Sequence, residues 1–163
     1  MGTKQPLDIA AVGHCVTGLI AKSTILDAFS REHSLHQPVA LVGEFAILPL
    51  RDIDLDSFLV APLSFDFEGF RYLSDQLLDE LRLASRQGML MYFETDYFGG
   101  LGCQGAAVFQ HGELIFGPQS AKTGAINQGL KLLGIRIKPP AQDEFETIGL
   151  DRHRDTERWI ERS

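Results

Sequence analysis

Two cysteines, five histidines and one close pair of carboxylates hold the nucleophilic and acid–base chemistry this chain could offer. A cysteine nucleophile needs a base beside it and usually a third group to orient that base. His14 directly precedes Cys15, while Cys103 lies upstream of His111, and His153 is a further base. Neighbours on a strand point to opposite faces, so His14 is poorly aimed at Cys15 if that stretch is extended. Cys103 and His111 can meet across a β-meander. The competing reading is that cysteine is a small apolar side chain beside a strand. Two cysteines so far apart do not make a disulfide framework, and they read as two free, buried thiols.

Glu94 and Asp96 alternate in an apolar run, next to Tyr97 and Phe98. On a strand both carboxylates share a face. Such a pair serves as acid and base when its surroundings split the two pKa values. Flanked by aromatics, it also makes a recognition patch; the plainest alternative is two solvated residues at a strand end. The segment GHCVTGLIAKS, residues 13–23, invites comparison with a phosphate loop. That loop needs Lys directly after its second Gly and then Ser or Thr. Leu19 and Ile20 occupy those positions and Lys22 comes too late, so no nucleotide is expected. Gly99, Gly100 and Gly102 open no helix and read as turn chemistry. His33 and His36 are spaced for one helical face, but no third ligand supports them, so neither a metal nor a cofactor is expected.

The net charge of −7 is concentrated. Asp52, Asp54, Asp56, Asp66, Glu68, Asp75, Asp79 and Glu80 share residues 52–80 with a single base, Arg71. This segment carries the whole surplus. Such a field repels nucleic acid and anionic membranes and attracts basic partners; it also serves simply as a solvated face. No basic stripe interleaved with aromatics is present. The N-terminus lacks a basic region followed by an apolar core, and no apolar run reaches membrane length, which points to the cytoplasm.

The elements that would carry these residues fit one domain, 1–163, that needs no disulfide to fold. Residues 1–6 are expected to fray. Leu7–Val12 reads as a strand, Gly13 and Gly18 bracket a turn, and residues 19–32 read as a helix. Val39–Leu48 is an apolar strand ended by Pro49. In residues 51–60, Ile53 and Leu55 alternate with Asp52, Asp54 and Asp56, which suggests a half-buried edge strand; a short helix capped by Asp54 or Asp56 is the alternative. Leu73, Leu77, Leu81 and Ala84 form one helical stripe over residues 71–86, opened by Ser74 and closed by Gly88. Met89–Phe93 is apolar on both faces, as a central strand would be. Residues 104–109 and 113–116 pair across His111-Gly112, and Gly117-Pro118 ends that meander. Ile126, Leu130 and Leu133 mark a helix stopped by Gly134, and Asp143 caps a short helix with Phe145 and Ile148. Residues 150–163 alternate arginines and carboxylates and suit an exposed C-terminal helix docked by Leu150 and Trp159. Together these predict an α+β fold, a largely antiparallel sheet with helices packed mainly on one face.

Three stretches, YFETDYFGGLGCQGAAVF (92–109), GAINQGLKLLGI (124–135) and DEFETIGLDRHRDTERW (143–159), resemble immunity proteins encoded beside secreted polymorphic toxins and type VI effectors of bacteria. The resemblance covers about the C-terminal half and has no catalytic signature. It implies a non-catalytic protein that binds one cognate toxin and blocks it in the cytoplasm. The acidic field agrees, since an acidic partner can plug a basic cleft and associate quickly. The expected contact surface is Asp52, Asp54, Asp56, Asp66, Glu68, Glu94, Asp96, Tyr97 and Phe98, facing a basic toxin. The alternative is a small hydrolase or transferase using Cys103 or the Glu94/Asp96 pair.

Overall fold

The computed structural model describes residues 9–161. Its frame is a six-stranded, wholly antiparallel sheet in the order β2-β3-β1-β4-β5-β6. The strands are β1 (Thr17–Lys22), β2 (Val39–Ala40), β3 (Phe45–Pro49), β4 (Leu90–Phe98), β5 (Leu101–Gln110) and β6 (Glu113–Ala121). The helices are α1 (Ile9–Val12), α2 (Ser23–Glu32), α3 (Asp52–Phe58), α4 (Asp75–Ala84), α5 (Ala125–Leu132), α6 (Glu144–Ile148) and α7 (Thr156–Glu161). The α+β class and the antiparallel sheet expected from the sequence are both present.

The helices divide between the two faces instead of gathering on one. Leu19, Ala21, Leu90, Tyr92 and Phe109 face a core closed by Leu26 and Phe29 of α2, Leu55 of α3 and Leu77 and Leu81 of α4. Ile20, Ile47, Met91, Phe93 and Val108 face a second core closed by Ile126 and Leu130 of α5, Phe145 and Ile148 of α6, and Trp159. Successive strand residues point to opposite faces, so β1 and β4 feed both cores at once. This explains why residues 19–22 are strand where a helix was expected. Leu19 and Ile20 are both fully buried, on opposite sides. The helix starts only at Ser23. Gly18 lies inside β1, paired with Pro49, and not in a turn; a Cβ there would meet the Leu48 carbonyl oxygen at 2.9 Å, so the close approach of β3 favours glycine.

Other boundaries also moved. Ile9–Val12 is one helical turn, not strand, while residues 1–6 lie outside the described residues. The 39–48 strand is broken into β2 and β3 by a turn at Gly43, whose φ is 71°. β6 runs through Gly117-Pro118 to Ala121, with a register shift between Ala106 and Val108 opposite it. The C-terminal helix begins at Thr156, not at residue 150. Six residues are too few to hold a helix alone. Burial of Trp159, worth about 2–3 kcal/mol, docks it. The local signals held elsewhere. Ser74 Oγ accepts the Leu77 N–H at 3.2 Å, and Asp143 Oδ1 accepts the Glu146 N–H at 2.8 Å. His111 and Gly112 take φ of 55° and 80°, the positive pair that a two-residue hairpin turn demands.

Candidate functional site

Residues 52–58 form α3 because Asp54 turns inward. Its Oδ2 accepts the Arg51 backbone N–H at 2.9 Å, and the Arg51 guanidinium closes on both carboxylate oxygens at 3.0 Å. Burial pushes the Asp54 carboxyl up, but the bonds to Arg51 outweigh it and hold the group below the usual carboxylate range. With Asp54 and Leu55 buried, Asp52, Ile53 and Asp56 face solvent. The alternation that suggested an edge strand is therefore one inward carboxylate between two outward ones on a helix.

The chain then crosses the sheet as residues 59–74, and Glu94 anchors it there. The Glu94 carboxylate accepts N–H bonds from Arg71 at 2.6 Å, Tyr72 at 3.0 Å and Leu73 at 3.1 Å, and the Tyr92 hydroxyl donates a fourth at 2.5 Å. Burial nevertheless pushes the Glu94 carboxyl upward, against those donors. Phe70 covers Gly105 so closely that a Cβ there would stand 2.6 Å from its ring. Ser120 Oγ donates to the Glu68 carbonyl at 3.0 Å. The crossing fixes Tyr72, whose hydroxyl is pushed up by burial and then by the neighbouring Asp52 carboxylate. The Arg71 guanidinium lies 5.4 Å from the centre of the Tyr72 ring.

Three adjoining hollows meet around Tyr72. One, of about 330 Å³, is lined by Asp52, Asp56, Phe65 and Arg71. A second, of about 390 Å³, runs past Ile53 to Glu157 on α7. The third, of about 130 Å³, reaches Cys15, Glu94 and Asp96. The result is a groove with carboxylates on its walls and aromatic or aliphatic side chains between them.

Of the expected contact residues, Asp52, Asp56, Asp66, Glu68, Asp96 and Phe98 are exposed. Asp54, Glu94 and Tyr97 are not available to a partner. Asp54 is closed onto Arg51, Glu94 is spent on the crossing segment, and Tyr97 is 2% exposed. The Tyr97 hydroxyl donates to the Lys122 carbonyl and accepts from Gln104 Nε2 at 3.0 Å. Asp52 and Asp56 share one hollow and Asp96 lines another, with Tyr72 and Arg71 between them. Phe98 stands beyond them on the β4–β5 hairpin, opposite Leu101, and the two are 86% and 74% exposed. Sequence reasoning missed Ile53, Phe65, Tyr72 and Leu101. The run SFDFEGFRY carried the signal for two of them, aromatics interleaved with acids just before a helix.

The thiols flank Asp96, Cys15 from the stretch just before β1 and Cys103 from β5. Cys15 is exposed and its Sγ lies 3.4 Å from Asp96 Oδ1; Cys103 is half-buried and sits opposite Asp96 on β5. Neither is fully buried, contrary to expectation. Burial and the bond to Asp96 raise the Cys15 thiol, and burial, then the charges of Asp96 and Glu94, raise Cys103. These shifts oppose the activation that a nucleophile needs. His14 points to the other face, bonding Thr95 at 2.6 Å and the Leu150 carbonyl at 3.3 Å. His111 sits at the far end of β5 from Cys103, and His153 packs on Trp159 at 4.8 Å. His33 and His36 diverge, toward Glu80 at 3.5 Å and Asp54 at 3.6 Å, and among the described residues no group of three ligands could hold a metal. Among them, too, no helix is long and apolar enough to cross a membrane.

Comparison of the chain with protein-family models, curated proteins and solved structures finds no match in any of the three.

Proposed function

We propose that this protein acts by binding, holding a basic partner protein at the acidic groove around Tyr72; in the reading that the resemblance supplies, the partner is a cognate bacterial toxin neutralised in the cytoplasm. One observation carries the proposal. Exposed Asp52, Asp56 and Asp96 line a set of hollows whose walls also hold Ile53, Phe65 and Tyr72, with Arg51 and Arg71 as the cations among them. A lysine or arginine side chain has this same division, an apolar stem and a charged head. The carboxylates would steer a cationic surface and set its register, and the aromatics would supply the buried contact area. Phe98 and Leu101 would extend that contact along the hairpin.

The test is to co-express the chain with the product of the adjoining gene and to measure affinity at low and high salt. Asp52→Lys/Asp56→Lys should weaken the complex at least tenfold, with the larger part in the association rate. Unchanged affinity in that double variant and in Asp96→Lys would reject the groove as the contact surface.

A further inference from the structure

Next to the end of the groove that Cys15, Thr156 and Glu157 line, the segment after α6 builds a separate, basic hollow of about 440 Å³ in this acidic chain. Arg152, Arg154 and Arg158 line it with Val12, His153, Asp151 and Asp155. Two of the guanidinium groups are fixed by neutral backbone acceptors. Arg152 Nη1 donates to the Ala40 carbonyl at 3.1 Å, and its head lies 5.6 Å from the centre of the buried Trp159 ring. Arg154 Nη1 donates to the Val12 carbonyl at 2.7 Å. A guanidinium carries five N–H donors, so one such bond leaves most of its donors for another acceptor. Among the described residues, no carboxylate lies within ion-pair distance of Arg152 or Arg154. Asp155 is occupied locally, accepting the Arg158 N–H at 2.8 Å and lying 4.0 Å from its Nε. Three cations face two carboxylates, one of them already engaged.

We infer that this hollow binds a phosphate group, as the free ion or as a small phosphate ester. Arginines held in place lose little freedom on binding, which favours an anion that several of them can share. A phosphate dianion offers two charges and more oxygens than the two of a singly charged carboxylate, so it matches a site of several guanidinium groups better in both charge and acceptor number. The space exceeds that of a bare ion, so an ester fits as well as inorganic phosphate. The inference is independent of the groove around Tyr72 and does not need a protein partner.

The experiment titrates the full chain with inorganic phosphate, with glycerol phosphate and with sodium chloride at matched ionic strength, following backbone amides by ¹H–¹⁵N spectra. Phosphate, but not chloride, should shift amides of residues 151–158 along a saturating curve. Tighter binding of glycerol phosphate would assign an ester, and equal or weaker binding the free ion. Arg154→Gln should weaken binding about tenfold, while Arg82→Gln on α4 leaves it unchanged. If Arg154→Gln fails to fold, the wild-type map still decides. Shifts that chloride reproduces, that scatter outside 151–158, or that persist in full in a folded Arg154→Gln would overturn the proposal.

Discussion

Lowering the pH from 7 to 4 should remove about 3 kcal/mol of stability through His14 alone. The ring is 2% exposed, with Nδ1 2.6 Å from Thr95 Oγ1 and Nε2 3.3 Å from the Leu150 carbonyl. Thr95 Oγ1 also accepts the Val16 N–H at 2.9 Å; its own hydrogen has two acceptors in reach, Nδ1 at 2.6 Å and the Val16 carbonyl at 3.4 Å, and the shorter contact favours Nδ1. That pattern suits a neutral ring protonated on Nε2, and a second ring proton would have to displace the Thr95 hydrogen. Burial accordingly lowers the His14 pKa from 6.5 to about 4. Above pH 6.5 neither the folded nor the unfolded chain holds this proton, and the contribution is intact. Between 6.5 and about 4 the unfolded chain takes a proton that the fold refuses, and stability declines by about 1.4 kcal/mol per pH unit. Below the folded value the loss is complete.

Urea denaturation at several pH values between 7 and 4.5 measures this, on wild type and on His14→Asn, whose side chain can keep one of the two bonds. The variant starts less stable at pH 7, but its decline on acidification should be shallower by close to one proton. Taking the difference between the two proteins cancels carboxylates that titrate in both, such as Glu94. Equal declines, or a His14 ring titration midpoint near 6.5, would refute the reasoning.

Two further outcomes follow from the crossing segment and the thiols. Glu94→Ala leaves three buried or half-buried backbone donors without an acceptor and should cost about 3 kcal/mol or more, with faster proteolysis within residues 59–74; unaltered stability in urea would show that the segment is held by its side chains instead. Cys15, exposed yet raised by burial and Asp96, should alkylate slowly at pH 7 but before Cys103, and Asp96→Asn should speed the reaction at Cys15; mass spectrometry of a timed iodoacetamide reaction reads both.

Elements whose signals are local were legible in the sequence. The α4 stripe with its Ser74 cap, the α5 stripe with its Gly134 stop, the Asp143 cap and the His111-Gly112 turn each need only a few adjacent residues. Residues 19–22 were misread because a strand buried on both faces has no alternation to show, and Leu19-Ile20 joins a true helical stripe directly. Residues 52–58 were ambiguous because acids at every second position fit either period, and a contact with Arg51 decided between them. The exposed half of the acidic surface was visible as a charge run. Which carboxylates turn inward was not, since Glu94 is buried by a segment some twenty residues upstream. The groove itself joins Cys15, Asp52, Tyr72, Asp96 and Thr156 only because β1 lies between β3 and β4, a strand order that no single segment encodes.

The alternation along β1 and β4 also bears on how the molecule comes apart. Leu19, Leu90 and Tyr92 belong to one core and Ile20, Met91 and Phe93 to the other, so the two cores share the same two strands of backbone. A change that bends or slides those strands to suit one core therefore displaces side chains in the other. Loosening α5 or α7 on one side is therefore felt by α3 and α4 on the other, across a wall one sheet thick. The groove, which runs from α3 to α7, and the basic hollow beside α7 both rest on this shared pair of strands.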